Sequence, residues 1–300
     1  MKIAFLNMYS GLVDRGAETF VYELALRLSK KHRIVVFQGG LSKGTENYEV
    51  VTLDMNIDWT KRDTSRTIWA MLFIDYWRRK IFQFSIKALP KLWQGKFDIV
   101  IPLNGGWQPA LVRILMWLYG GKMVISGQSG MGWDDVVNLF SFPNTFTALS
   151  KEASIWGKKN NPFIRVENIP NGVDLIKFKP EGNKFKTNLP HPIILCVGAL
   201  TPGKRINLVI SAVAKLEGVS LLVVGDGDLK NEIDDLGKKL LKKRFQLVKV
   251  PYSQLPTVYR VADLFSLVSA PYHSFEIVLV EAMATGLGVV ANDDPIRREI

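Results

Sequence analysis

Three hundred residues, 47% of them apolar, are enough for two domains with buried cores. The single cysteine, Cys196, excludes an internal disulfide and fits a cytoplasmic enzyme. A formal charge of +11 comes with no nucleic-acid motif, no His, Cys and acidic cluster at metal-ligand spacing, and no uncharged apolar run of membrane-spanning length.

In chain order, the opening MKIAFLN is too short an apolar run for a signal peptide and reads as a strand over 2–8. A helix follows over 17–31, with Phe20, Val21, Leu24 and Leu28 at helical spacing. Further strands are expected at 33–37, 97–103 and 122–128. The second half alternates more regularly: strands at 192–200, 220–224, 245–250, 263–268 and 288–291, and helices near 207–217, 229–243, 254–261 and 277–285. Near-continuous apolar strands separated by helices imply parallel sheets covered on both faces, with ligands at the carboxyl ends of the strands. Residues 168–180, rich in Pro, Gly, Asn and Asp, read as a connection. A first domain over 1–170, a linker over 171–190 and a second domain over 191–300 are therefore expected. No closing helix follows the last strand before Ile300, so the second domain reads as truncated.

Three segments of the second half carry chemistry, and a fourth marks the connection. The run from His273 to Gly286, HSFEIVLVEAMATG, places a carboxylate inside a helix that follows a strand end. Val197-Gly-Ala-Leu-Thr-Pro-Gly-Lys204-Arg205 follows a buried strand and opens a helix. Gly225-Asp226-Gly227 closes another strand. Ile169-Pro-Asn-Gly-Val-Asp174, with Phe178 and Pro180, lies at the connection. Together these resemble glycosyltransferase family 4, whose carboxylate motif runs roughly E-x-F-G-x-x-x-x-E-A-M-A-x-G.

The resemblance implies a GT-B fold, two Rossmann-like domains facing across a cleft, and transfer with retention from a nucleoside diphosphate sugar without a metal or other cofactor. It implies that Lys204 and Arg205 grip the donor diphosphate, that Glu281 takes the ribose hydroxyls, and that Phe275, Glu276, Ile277, Gly225, Asp226 and Gly227 line the donor site. His273 stands in the sugar-facing position where the family has glutamate. Glu276 stands where it has glycine, which sets a carboxylate and a side chain close to the expected phosphate. Plainer readings stay open: Lys204 and Arg205 as solvated charges, Glu281 as a helix-surface glutamate, and residues 225–227 as an ordinary tight turn.

In the first half, the loop 11–18 (GLVDRGAE) resembles the family's glycine loop, with Gly16 permitting close backbone approach. The loop 126–135 carries Asp134, either a contact to the acceptor or a cap of its own loop. Residues 61–96 hold nine basic and two acidic groups, and all eight tryptophans precede residue 157. Residues 66–96 therefore suit an anionic membrane surface on the inner face of the membrane, or a helix pair packed on the sheet with snorkelling cations. A glycan or lipid-linked envelope acceptor is the partner the resemblance implies, with nucleic acid excluded. Two rivals remain: a non-catalytic binding protein of the same fold, and a nucleotide-sugar epimerase.

Overall fold

The apolar run KIAFLN forms β1 (Lys2–Asn7), an interior strand of a wholly parallel sheet. The computed structural model describes residues 1–300 apart from 14, 43, 45, 46, 62–68, 70, 71 and 271–274. The other strands of this sheet are β2 (Arg33–Gln38), β3 (Glu49–Thr52), β4 (Ile99–Pro102), β5 (Lys122–Ser126), β6 (Thr145–Ala148) and β7 (Val166–Asn168), in spatial order 3-2-1-4-5-6-7.

The period of two in a strand sends its side chains to opposite faces, and here both faces are covered. Ile3 and Phe5 pack with Val21 and Ala25 of α1 (Gly16–Leu28). Ala4 and Leu6 join Ile81, Phe84 and Val112 from α2 (Tyr76–Gly95) and α3 (Gln108–Tyr119). Two shorter helices, α4 (Trp133–Phe140) and α5 (Lys151–Asn160), complete this unit. Among its described residues, the basic aromatic segment contains one long helix, α2. Its start is fixed by Asp75, whose carboxylate accepts from the backbone N–H groups of Trp77 and Arg78.

The second sheet repeats the plan with five parallel strands: β8 (Ile193–Val197), β9 (Ser220–Val224), β10 (Phe245–Val248), β11 (Leu264–Leu267) and β12 (Gly288–Ala291). Their spatial order is 10-9-8-11-12. The described helices of this unit are α6 (Ile206–Val213), α7 (Lys230–Leu241), α8 (Leu255–Tyr259) and α9 (Ile277–Ala284). The chain divides into two compact units, Met1–Pro170 and Asn171–Ile300. Residues 171–189 belong to the second one, where Phe178 and Leu189 join its core.

In each sheet the strand order reverses beside the first strand of the unit, between β1 and β4 and between β8 and β11. Doubly wound sheets bind ligands at such a reversal, outside the carboxyl ends of the strands.

Candidate functional site

Three loops meet at the carboxyl ends of β8, β9 and β11 because glycines let their backbones touch. A Cβ on Gly225 would lie 1.9 Å from the carbonyl oxygen of Gly198, and one on Gly227 would lie 2.7 Å from that of Leu200. Gly227 also has φ +154°, a conformation that favours glycine. Backbone hydrogen bonds seal the contact: Leu200 N–H donates to the Asp226 carbonyl at 3.0 Å, and Leu229 N–H to the Leu200 carbonyl at 3.0 Å. The loop after β11 joins through Ala270 N–H, which donates to the Gly203 carbonyl at 2.8 Å.

That last bond sets Ser269 beside Lys204. The Lys204 ammonium lies 2.7 and 2.6 Å from the two carboxylate oxygens of Glu276, the residue that precedes α9. Ser269 Oγ donates to the same carboxylate at 2.8 Å. From the loop after β12, the Arg297 guanidinium donates to Ser269 Oγ at 2.6 Å and to Asp294 at 2.6 Å, and stands 3.6 Å from Glu276. The side chains are enclosed: relative exposure is 15% for Lys204, 8% for Glu276 and 4% for Arg297. A serine and two cations therefore surround one carboxylate at the reversal of the sheet. The carboxylate expected to face a phosphate carries its own counter-ion.

The remaining sequence-expected residues take distinct places. Arg205 is exposed, sits in the left-handed region at φ 48° and caps α6. Among the described residues its side chain has no ion-pair partner. Glu281 is buried in α9 and accepts from the Tyr259 hydroxyl at 2.8 Å. Burial, and then the Glu281 charge, raise the Tyr259 phenol well above its ordinary range, so the proton stays on tyrosine. Asp226 pairs with Lys249 at 2.7 Å, which lowers its pKa. Phe275 and Ile277 are half-buried on either side of Glu276. His273 lies outside the described residues. Cys196, on β8, is fully buried, and its thiol is pushed up to about 12 by desolvation, so it is no nucleophile.

Sequence reasoning did not single out Ser269, Asp294 or Arg297. The signal was positional. All three follow the ends of apolar strands that bracket the Glu281 helix, where a parallel sheet gathers its functional loops.

The first unit carries a buried polar chain at its own reversal. Asn7, the last residue of β1, donates to Glu18 at 3.1 Å. Asn104, just past β4, accepts from Met8 N–H at 2.8 Å, and Gln108 accepts from Asn104 N–H at 3.0 Å. Burial raises the Glu18 pKa. Gly16 opens α1 and is exposed, whereas the close approach in this region is between Gly11 and Gly40: a Cβ on Gly40 would meet the Gly11 carbonyl carbon at 2.1 Å. Asp134 lies in the first turn of α4 with both oxygens 3.3 Å from the Arg78 guanidinium. Arg78 also pairs with the capping Asp75 at 2.9 Å.

Residues 178–300 match the family model for glycosyl transferases group 1. The second unit is thus similar to group 1 glycosyl transferases. The chain is 34% identical over 136 residues to a phosphatidyl-myo-inositol mannosyltransferase of Mycobacterium tuberculosis, covering 43% of this chain and 36% of that protein. A D-inositol 3-phosphate glycosyltransferase of Mycobacterium bovis is 33% identical over 142 residues, covering 42% of this chain and 29% of the relative. The matches thus span about a third of the curated relatives' length.

Among solved structures, Anabaena Alr3699/HepE in complex with UDP-glucose superposes with a TM-score of 0.74 at 18% identity, covering 100% of this chain and 82% of that one. WaaG, a glycosyltransferase involved in lipopolysaccharide biosynthesis, gives 0.69 at 15% identity over 96% and 80%. Likeness of this degree establishes the fold: the chain has the GT-B architecture of two parallel-sheet α/β units.

Proposed function

We propose that the chain is a retaining glycosyltransferase that binds a nucleoside diphosphate sugar on its second unit. It moves the sugar to a glycan or lipid-linked acceptor of the cell envelope, with neither metal nor cofactor. The observation that carries this reading is the convergence of Lys204, Ser269 and Arg297 at the strand-order reversal of a group 1 unit. Cations fixed there offset the charge that develops on a leaving diphosphate, and a fixed cation needs no reorganisation as the bond breaks. In this reading Lys204, Arg297 and the exposed Arg205 hold the diphosphate. Glu281, set in place by Tyr259, receives the ribose hydroxyls. The glycine contacts at 225–227 hold the wall of the site. His273 meets the transferred sugar.

The Anabaena protein's ligand makes a uridine diphosphate sugar the first donor to try, and the mannosyltransferase relative adds a mannosyl donor. The first unit carries the acceptor contacts, with Asp134 and the α1 loop near Gly16 as the groups to vary. Membrane attachment is supported by the solvent side of α2 and α3. Phe82, Ile86 and Trp93 on α2 and Ile114, Trp117 and Leu118 on α3 are exposed, and neither helix contains an acidic residue. No helix among the described residues is long and apolar enough to cross a membrane.

Thermal unfolding across a panel of nucleoside diphosphates and their sugars tests the donor site. At least one should raise the melting temperature, and Glu281→Ala should abolish the rise. A flat response to the whole panel would remove the assignment. The paired state of Lys204 favours one second reading, a non-catalytic binding protein. Donor binding with neither hydrolysis nor transfer would select it.

A further inference from the structure

The described groups around Lys204 balance without any ligand. Lys204 and Arg297 bring two positive charges, and Glu276 and Asp294 bring two negative ones, all within direct contact. Both Glu276 oxygens face Lys204, and one of them also accepts from Ser269. A carboxylate held by an ammonium, a hydroxyl and a nearby guanidinium is arranged as one end of a phosphate would be: oxygens that accept charge-assisted hydrogen bonds. Glycine in the family pattern leaves this space to the ligand; glutamate fills it.

We propose that Glu276 is an internal anion that occupies the phosphate position of Lys204 and Arg297. The site then takes a diphosphate only by displacing its own carboxylate, which makes Glu276 the residue that sets affinity for the phosphate end of the donor and of the nucleotide product. This rests on the donor-site reading above.

Two consequences follow from the physics of a buried pair. Removing the carboxylate leaves Lys204 charged and enclosed, so the unliganded protein loses stability. An added anion then regains what the carboxylate supplied and binds more tightly, because nothing has to be displaced. The wild-type chain and the variants Glu276→Gln and Glu276→Gly are titrated with inorganic pyrophosphate and with uridine diphosphate, by calorimetry and by thermal unfolding. Both variants are expected to melt lower than wild type without ligand, to gain more from pyrophosphate than wild type does, and to bind uridine diphosphate at least about tenfold more tightly. Lys204→Met in the Glu276→Gln background should cancel the gain. Equal or weaker binding by both variants, with wild-type binding intact, overturns the internal anion and leaves the donor site standing. Absence of binding by all three proteins overturns both. If Glu276→Gln fails to fold, Glu276→Gly, which restores the family's residue, decides alone.

Discussion

Asp135 is the residue whose surroundings oppose its charge most clearly in the first unit. It lies in the first turn of α4, 2% exposed, accepting from Asn138 at 2.8 Å. Desolvation, assisted by the neighbouring Asp134 charge, pushes its pKa up to about 7 from 3.8. The sign follows from linkage. Below pH 4 the carboxyl is neutral whether the chain is folded or unfolded, and its burial is fully tolerated. Between about pH 4 and 7 the unfolded chain ionises and the folded one resists, so stability falls as pH rises, by at most about 1.4 kcal/mol per pH unit. Buried Glu18 adds a slope of the same sign. Asp135→Asn should therefore reduce this slope without abolishing it, and stabilise the protein at pH 8 more than at pH 5. All eight tryptophans belong to the first unit, so urea unfolding followed by their fluorescence reads that unit alone. An unchanged slope would place the titration elsewhere.

At the scale of elements, α2 depends on its first turn. Asp75 caps two backbone N–H groups and pairs with Arg78, which in turn holds Asp134 on α4. Asp75→Ala should cost about 1–3 kcal/mol in the same fluorescence assay: a lost cap, and a half-buried guanidinium left with one partner. Asp75→Asn keeps the cap and should lose less. Equal losses would assign the whole effect to the charge pair.

Legibility in the sequence tracked burial on both faces. The apolar runs at β1, β2, β4, β5, β8 and β9 are visible as strands because helices cover them on either side, whereas β10, β11 and β12, only partly buried, show by their short apolar runs between helices. β7 is the three-residue Val166–Asn168 at a sheet edge, and β3 is half exposed, so neither carries a continuous apolar signal. Of the residues proposed for the donor site, Lys204, Glu276 and Glu281 were legible because they lie in motifs. Arg297 and Ser269 were not, since a cation and a serine after strands look like any loop until the fold brings β11 and β12 to the same reversal. The pairing of Glu276 with Lys204, 72 residues away in sequence, is likewise a product of topology alone.

Across the whole molecule, aromatic residues and most of the net positive charge concentrate in the first unit, and the fold turns that composition into a surface. On α2, Arg79, Phe82, Ile86 and Trp93 recur at helical spacing on the solvent side, opposite the buried stripe of Ile81, Phe84, Ala88 and Leu92. On α3, Trp117 is 62% and Leu118 68% exposed. Cations lie over these rings: Lys96 Nζ is 3.5 Å from the Trp93 centroid and 4.8 Å from that of Tyr119, and the Arg113 guanidinium is 4.6 Å from that of Trp117. Exposed aromatic rings with cations beside them suit a bilayer interface, where the ring enters the headgroup layer and the charge meets anionic lipid. A helix pair serving only to cover the sheet would have no use for tryptophans on its outer side. The full chain should therefore float with vesicles containing phosphatidylglycerol, stay down with purely zwitterionic vesicles, and detach as salt rises. Each basic residue near the surface adds about 1 kcal/mol. Arg79→Glu combined with Lys91→Glu should thus weaken flotation by well over about tenfold, while Trp117→Ser with Leu118→Ser should weaken it at every salt concentration. Flotation that ignores both pairs of changes would move the contact off this face, and none at all would leave α2 and α3 as cover for the sheet.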